Sequence, residues 1–223
     1  MRKATRLLVS FMFYCIAGMG ISMSIQASIG VSSFNSVNLA LSNGFHITVG
    51  AATTALNGFF LVVYMLLDRF RNPGRYVLQA AATLFNGRVI NFFVYGIFAD
   101  ITPDAYPLRI ALFILGNCIS GSATGVILHL KILSFPVESA CAELSRRTGR
   151  AFKLYRYALD GLFVLSSVCL SFVFRLPLFV REGTVISMFL LTGVIANAKR
   201  MCERWDARRE KTTAIAHEGA SEA

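Results

Sequence analysis

Charge is scarce in this chain. Only 15% of its 223 residues are Asp, Glu, Lys or Arg, while 55% belong to the hydrophobic set and the mean hydropathy is +0.59. An average soluble domain carries about 25% charged residues, so this composition argues against a water-soluble enzyme and a disordered chain. The sequence therefore predicts an integral membrane protein whose main partner is the lipid bilayer.

Cysteine and histidine are also few. The five cysteines contain no CxxC pair, and the three histidines are far apart in the sequence. The cysteines are odd in number, widely spaced and mostly inside apolar runs, so the sequence indicates neither a disulfide framework nor a metal site. The chain also has no recognisable catalytic triad or phosphate-binding glycine loop. We therefore expect no metal, no cofactor and no enzymatic activity.

Six apolar stretches are long enough, or nearly so, to cross a bilayer, which takes about 20 residues per helix. They cover residues 7–26, 48–67, 79–99, 109–130, 157–175 and 183–199. The first stretch is longer than the roughly 7–15 residues of a signal-peptide core, so we expect it to be retained. The predicted fold is an all-α bundle of six transmembrane spans.

Basic residues are distributed unequally between the connecting segments. Of the 22 Lys and Arg residues, 18 fall on the side of the N-terminus and three on the opposite side, and Arg88 lies inside the third stretch. Because cytoplasmic loops carry the basic excess, both termini are predicted to be cytoplasmic. The net charge of +10 is explained by this topology, and we expect no nucleic-acid partner.

A shift of 103 residues aligns the two halves of the chain. It places Cys15-Ile16-Ala17-Gly18 on Cys118-Ile119-Ser120-Gly121, and Asn57-Gly58 on Asp160-Gly161. With three spans in each copy, the second copy is inverted across the membrane. We predict a 3+3 inverted repeat with copies at 1–103 and 104–200, and a cytoplasmic tail at 201–223 that is disordered after about Lys211. Secondary transporters bind their substrates between such repeats.

A short polar segment follows the first span of each half. In the first copy Ser32 is a predicted N-cap, Gly44 a helix stop, and Asn35 and Asn38 share one polar face; in the second copy Glu138 takes the place of Asn35. Two arrangements fit this pattern. Each segment is either a re-entrant half-helix whose N-terminus points into the membrane, or an amphipathic helix at the interface.

The first short segment resembles a known motif. Gly30-Val31-Ser32-Ser33-Phe34-Asn35, followed by Leu41-Ser42, is similar to the Gly-Val-Ser-Pro-Trp-Asp and Gly-Leu-Ser motifs of the YczE/YyaS/YitT-like bacterial membrane proteins. Asn86 is similar to an asparagine in the third span of that family. This chain departs from the motif at Ser33, Phe34 and Asn35. The resemblance implies a multi-pass protein of the bacterial plasma (inner) membrane.

Polar side chains inside the spans mark the candidate binding site. An arginine at mid-span costs about 2.5–3.5 kcal/mol on insertion scales, so Arg88 is expected to face the bundle interior and to have a partner. We predict a substrate site built from Arg88, Asn57, Asp160 and Asn117, joined by residues of the short helices, which are Asn35, Asn38, Ser32 and Glu138. The alternative is that Arg88 and Asp160 are structural, as an ion pair or as side chains that reach the headgroups.

These features favour a small secondary transporter or permease. If Arg88 is unpaired, its charge and the short-helix N-termini favour an anionic substrate, and Asp160 could carry a coupling proton. The alternative function is a non-transporting membrane scaffold or accessory subunit. The GxxxG sequence from Gly121 to Gly125 is expected to serve contacts inside the bundle, and homo-oligomerisation stays open.

Overall fold

The computed structural model describes residues 3–101, 103–130 and 132–221, and the regular secondary structure of these residues is entirely helical. A π-helical segment, Phe93–Ile97, continues the fourth helix. The α-helices are α1 (Lys3–Gln26), α2 (Ser33–Phe45), α3 (Val49–Leu67), α4 (Pro73–Phe92), α5 (Tyr106–Leu130), α6 (Pro136–Thr148), α7 (Phe152–Val173) and α8 (Glu182–Ser221).

Six of these helices are long and apolar enough to cross a bilayer, which confirms the predicted number of spans. The six are Thr5–Gln26, Val49–Leu67, Pro73–Ile97, Tyr106–Leu130, Phe152–Val173 and Glu182–Arg208. The chain is therefore a multi-pass membrane protein.

The main differences from the predicted helix ends are at the starts of α4 and α7 and at the end of α8. Helix α4 begins at Pro73 rather than 79, and α7 at Phe152 rather than 157. Basic residues lower the hydropathy of both starting turns without preventing helix formation. Helix α8 continues to Ser221, about 60 Å from its start at 1.5 Å per residue, where the composition predicted disorder after Lys211.

The two short helices have clear ends. Ser32 is the N-cap of α2, as predicted, and its hydroxyl accepts a hydrogen bond from the Asn35 backbone N–H. The stop lies at His46 rather than Gly44, because His46 adopts the left-handed conformation that closes the helix. Helix α6 begins at Pro136 and is closed by Gly149, whose φ of 72° favours glycine.

Small residues bring α1, α5 and α8 together. A Cβ atom on Gly20 would lie 2.6 Å from the Gly116 carbonyl oxygen, so α1 and α5 approach closely. Helices α1 and α5 are antiparallel: Gly20 lies against Ser120, while the later residue Ser24 lies against Gly116. On the other side of α5, Gly121 and Gly125 contact α8, so the GxxxG sequence serves a contact inside the bundle, as expected.

The short helices pack on spans of the opposite half. Helix α2 lies along α7, and α6 lies along α3. One apolar cluster joins all four elements, with Val37 of α2, Phe60 of α3, Val137 of α6 and Phe163 of α7 among its buried members. This arrangement carries the start of each short helix into the bundle.

Helices α3 and α4 form a tight pair. A Cβ atom on Gly50 would lie 1.9 Å from the Gly87 carbonyl oxygen. The first N–H groups of α3 are also satisfied by α4, because the Val49 N–H donates to the Tyr95 hydroxyl and the Gly50 N–H donates to Asn91 Oδ1. In contrast, α7 and α8 do not pack along each other over the described residues, and α8 instead follows α5.

Candidate functional site

Asp160 lies at the meeting point of α2 and α7. Its side chain is buried, and it sits about 12 Å along α7 from Phe152 at 1.5 Å per residue. The Ser33 hydroxyl, in the first turn of α2, donates a hydrogen bond of 2.5 Å to Asp160 Oδ1. The N-terminus of α2, which carries a partial positive charge, therefore points at a carboxylate inside the bundle.

Arg156 connects Asp160 to a second carboxylate. Its guanidinium lies 3.3 Å from Asp160 Oδ1, one helical turn away on α7, and 3.9 Å from Glu138 Oε1 of α6. Both distances exceed the roughly 2.7–2.9 Å of a close charge-assisted hydrogen bond. The arginine is therefore shared loosely between two acids.

Glu138 occupies the first turn of α6, where the helix N-terminus also favours a negative charge. Its Oε2 atom is buried and has no hydrogen-bond partner among the described residues. A buried carboxylate oxygen without a partner is costly unless a proton, a water molecule or a ligand satisfies it. Glu138 is therefore the member of the group with the greatest capacity to bind something further.

We name Ser33, Glu138, Arg156 and Asp160 the central cluster. It holds two carboxylates and one guanidinium, and the partial charges of about +0.5 at the two helix N-termini offset the remaining negative charge. Such a cluster can exchange the guanidinium between the two acids when one of them binds a proton or a ligand.

The predicted asparagines of the short helix and of α3 are also buried. Asn38 Nδ2 donates to Asn35 Oδ1 at 3.4 Å, and Asn57 Nδ2 donates to the Thr53 carbonyl oxygen at 3.0 Å. The side-chain oxygens of Asn38 and Asn57 have no hydrogen-bond partner among the described residues. These residues add unsatisfied acceptors to the same four-helix region, while Ser32 is used as an N-cap.

Asn117 lies elsewhere. Its amide donates to the Phe113 carbonyl oxygen at 2.9 Å and to the Ser24 hydroxyl at 3.3 Å, across the contact between α5 and α1. These bonds explain its burial as part of helix packing. No hydrogen bond of the described structure joins Asn117 to the central cluster.

The expectation that Arg88 faces the bundle interior is wrong. Arg88 is exposed on the outer surface of α4, whereas Asn86, Gly87 and Ile90 are buried. Two residues correspond to about 200° around a helix, so Asn86 and Arg88 cannot both face inward. Arg88 has no hydrogen bond or ion pair to any described residue, and the reason for expecting an anion at an inward-facing Arg88 no longer holds.

Sequence analysis missed Arg156 and Ser33. Arg156 was counted with the basic loop because the span was predicted to begin at 157, but its spacing of four from Asp160 places both residues on one helical face. Ser33 was noted only as a departure from the proline of the family motif. The hydroxyl at this position supplies the bond to Asp160 that a proline could not make.

A second polar group lies where α6 ends beside the α3–α4 turn. The Tyr76 hydroxyl and the Asn72 amide donate hydrogen bonds to Asp68, and they lower the pKa of that carboxyl. Arg146 and Arg147 bind Glu143, and the hydrogen bond from Arg146 is the main reason that its pKa is also lowered. Both acids are thus held ionised at this end of the bundle.

Comparisons with known proteins place the chain in a family. The model of a family of unknown function, DUF6198, matches residues 4–200. The chain is also 24% identical over 187 residues to "Uncharacterized protein YyaS" of Bacillus subtilis (strain 168), covering 82% of this chain and 88% of that protein. No solved structure matches. The resemblance seen in the first short segment is confirmed, and the chain belongs to DUF6198, a family of unknown function.

Proposed function

We propose that this protein is a small secondary transporter whose substrate and coupling site is the central cluster. The observation that carries the proposal is the group Glu138–Arg156–Asp160, enclosed at the starts of two short helices in a membrane bundle. Ionisable groups inside a membrane bundle cost free energy, and they occur mainly where an ion, a proton or a substrate passes. The unpartnered Glu138 Oε2 favours a binding role over a purely structural one.

The arrangement of the two halves supports an inverted repeat around this site. Gly18 of α1 lies against Val89 of α4, and the matching Gly121 of α5 lies against Val194 of α8. Helices α1 and α5 are antiparallel, and each short helix packs on a span of the opposite half. In this proposal α2 and α6 are re-entrant half-helices that meet at the substrate site from opposite sides.

Labelling of introduced cysteines tests the inverted repeat. The proposal places Gly44 on the outer side of a bacterial plasma membrane and Gly149 on the cytoplasmic side, with both termini cytoplasmic. In a background without native cysteines, a membrane-impermeant maleimide applied to intact cells should label Gly44→Cys only. Equal labelling of Gly149→Cys in sealed cells would contradict both the inverted repeat and the opposed half-helices.

The charges of the central cluster indicate a proton-coupled mechanism. When Glu138 binds a proton, Arg156 is left with Asp160 alone; when the proton leaves, the guanidinium is again shared. Exchange of one cation between two acids would link proton movement to rearrangement of α6 against α7. With Arg88 outside the bundle, we propose a small polar substrate and assign it no net negative charge.

The transport test uses the purified protein in liposomes loaded with a pH-sensitive dye. A panel of small polar metabolites is added under an imposed proton gradient, and movement of each labelled compound is measured with internal pH. We expect at least one compound to enter with protons, and Glu138→Gln or Asp160→Asn to abolish the coupling. Asp100→Asn, an exposed acid between α4 and α5, is the matched control and should leave uptake unchanged.

The scaffold alternative predicts a different result. In that case no compound in the panel would move above the rate of protein-free liposomes, and the charge changes in the central cluster would affect only stability. Uptake that survives both Glu138→Gln and Asp160→Asn would place the transport site elsewhere in the molecule.

A further inference from the structure

Arg88 is a charged residue within a span that the proposed function does not use. It lies in the span Pro73–Ile97 and is exposed on the outer surface of α4. Its neighbours on that surface, Leu84 and Phe92, are exposed large apolar side chains. A surface of this kind faces lipid, and it is a poor environment for a guanidinium unless an anion reaches it.

The described part of the chain offers Arg88 no partner. Asn91, about one turn further along α4, already has partners for its amide, because its Oδ1 accepts from the Gly50 N–H and its Nδ2 donates to the Thr48 hydroxyl. Arg88 makes no hydrogen bond or ion pair with the described residues, so its five N–H donors are free for an external acceptor.

Among the described residues, a second copy of the chain offers no carboxylate on an apolar span surface like the one around Arg88. The exposed acids of the described residues lie at the ends of spans or beyond them, at Asp100, Asp104, Glu182, Glu203 and Asp206. These carboxylates lie beyond the apolar surface that surrounds Arg88, whereas lipid contacts that surface directly. The surroundings of Arg88 therefore favour a lipid headgroup as the acceptor.

Arg88 lies closer to the interface of one leaflet than to that of the other. Nine residues separate it from Ile97, which is at most about 14 Å at 1.5 Å per residue, whereas the Pro73 end is about 22 Å away. A long arginine side chain can extend toward the nearer interface, and the bilayer can thin locally to meet it. In the orientation predicted from the basic residues, this is the outer leaflet.

We infer that Arg88 binds the phosphate group of a phospholipid at the lipid-facing surface of α4. A planar guanidinium can donate two parallel hydrogen bonds to one phosphate, which a lysine cannot reproduce. This inference does not depend on transport, since it concerns the outer surface of the bundle and not the central cluster.

The test compares phospholipid retained by the full-length protein and its variants. After extensive washing in detergent, the wild type, Arg88→Met and Arg88→Lys are analysed by native mass spectrometry with added phosphatidylglycerol. We expect Arg88→Met to lose about one bound phospholipid per chain, the loss of a single guanidinium–phosphate contact. Arg88→Lys should retain an intermediate amount. The matched control is Arg71→Met, an exposed arginine between spans, which should retain the wild-type amount.

Two further arms identify the source of the phosphate. A diacylglycerol glycolipid, which lacks phosphate, should bind wild type and Arg88→Met equally, and free inorganic phosphate should not displace phosphatidylglycerol. Circular dichroism and gel filtration show whether each variant is folded. The inference is overturned if folded Arg88→Met retains as much phospholipid as the wild type, or if Arg71→Met loses the same amount. Displacement by free phosphate would also overturn it, because the site would then be open to water.

Discussion

Replacement of Arg156 by methionine should destabilise the protein more than replacement of either of its acidic partners. Methionine keeps the length and helix preference of the side chain but removes the positive charge. The change leaves Asp160 and Glu138 facing each other without a cation, in a region where both side chains are at least 85% buried. In contrast, Asp160→Asn leaves Arg156 paired with Glu138, and Glu138→Gln leaves it paired with Asp160.

The size of the effect follows from the burial of the charges. Removing one partner of a buried ion pair typically costs about 3–5 kcal/mol, because a charge stays behind in a medium that solvates it poorly. For a chain of this size, about 2–4 °C of melting temperature correspond to 1 kcal/mol. We therefore expect Arg156→Met to lower the melting temperature by about 6–20 °C, and each single acid replacement to lower it by less.

Thermal unfolding in detergent micelles provides the assay. Cys141 is a free, buried thiol on α6, so in a background where the other four cysteines are replaced, a thiol-reactive fluorogenic dye reports when the packing around the cluster opens. Arg150→Met, an exposed arginine just before α7, is the matched control and should change stability by no more than about 0.5 kcal/mol.

A double-mutant cycle separates the ion pair from general damage to the helix. Arg156→Met combined with Asp160→Asn should be less destabilising than the sum of the two single changes, with a coupling of about 1 kcal/mol or more. If Arg156→Met costs no more than Asp160→Asn, or if the two changes add, the reasoning about a shared guanidinium fails.

Two other predictions concern helix packing and pH. Gly50→Ala should lower the free energy of unfolding by about 1–3 kcal/mol, because the new Cβ meets the Gly87 backbone oxygen. Gly58→Ala has open space around the new Cβ and should raise the free energy of unfolding by up to about 1 kcal/mol. The melting temperatures of the two variants check this, and equal effects would contradict it. Hydrogen bonds from Tyr76 and Asn72 lower the pKa of Asp68, so its contribution to stability is present above the unfolded-state pKa and is lost as pH falls through the folded-state value. Tyr76→Phe should therefore lower the melting temperature at pH 7, and its difference from wild type should shrink below about pH 4; a difference that is constant down to pH 3 would refute this account.

The number and nature of the spans could be predicted from the sequence because a bilayer demands long apolar helices. The starts of α4 and α7 could not, because hydropathy penalises residues such as Arg75 and Arg156 that the helix nevertheless includes. Because the predicted fifth span begins at 157, Arg156, the cation of the central cluster, was left outside it.

The candidate site was only partly predictable. Asp160 and Glu138 stood out because each is a lone acid in or beside an apolar segment. Arg88 stood out for the same reason, but depth in a span does not say which face of the helix a residue occupies. The inward spacing of Gln79, Thr83 and Asn86 in α4 could have placed Arg88 on the opposite face.

Contacts between segments far apart in the chain could not be predicted from a single sequence. The bond between Ser33 and Asp160 joins residues 127 positions apart, and the bond between Gln79 and Ser139 joins residues 60 positions apart. Nothing in local spacing brings these pairs together, because the contacts depend on how α2 and α6 pack on α7, α3 and α4.

The separation of α7 from α8 has a consequence for biogenesis. Two neighbouring spans often enter the membrane as a mutually packed hairpin, and α3 with α4 has the close contacts for this route. Helix α7 rests on α2 and α6, and α8 rests on α5, so the last two spans find their contacts on elements synthesised earlier. Ribosome-bound chains ending after α4 should therefore already hold a stable hairpin, whereas the final pair should become protease-resistant only after the earlier helices are in place.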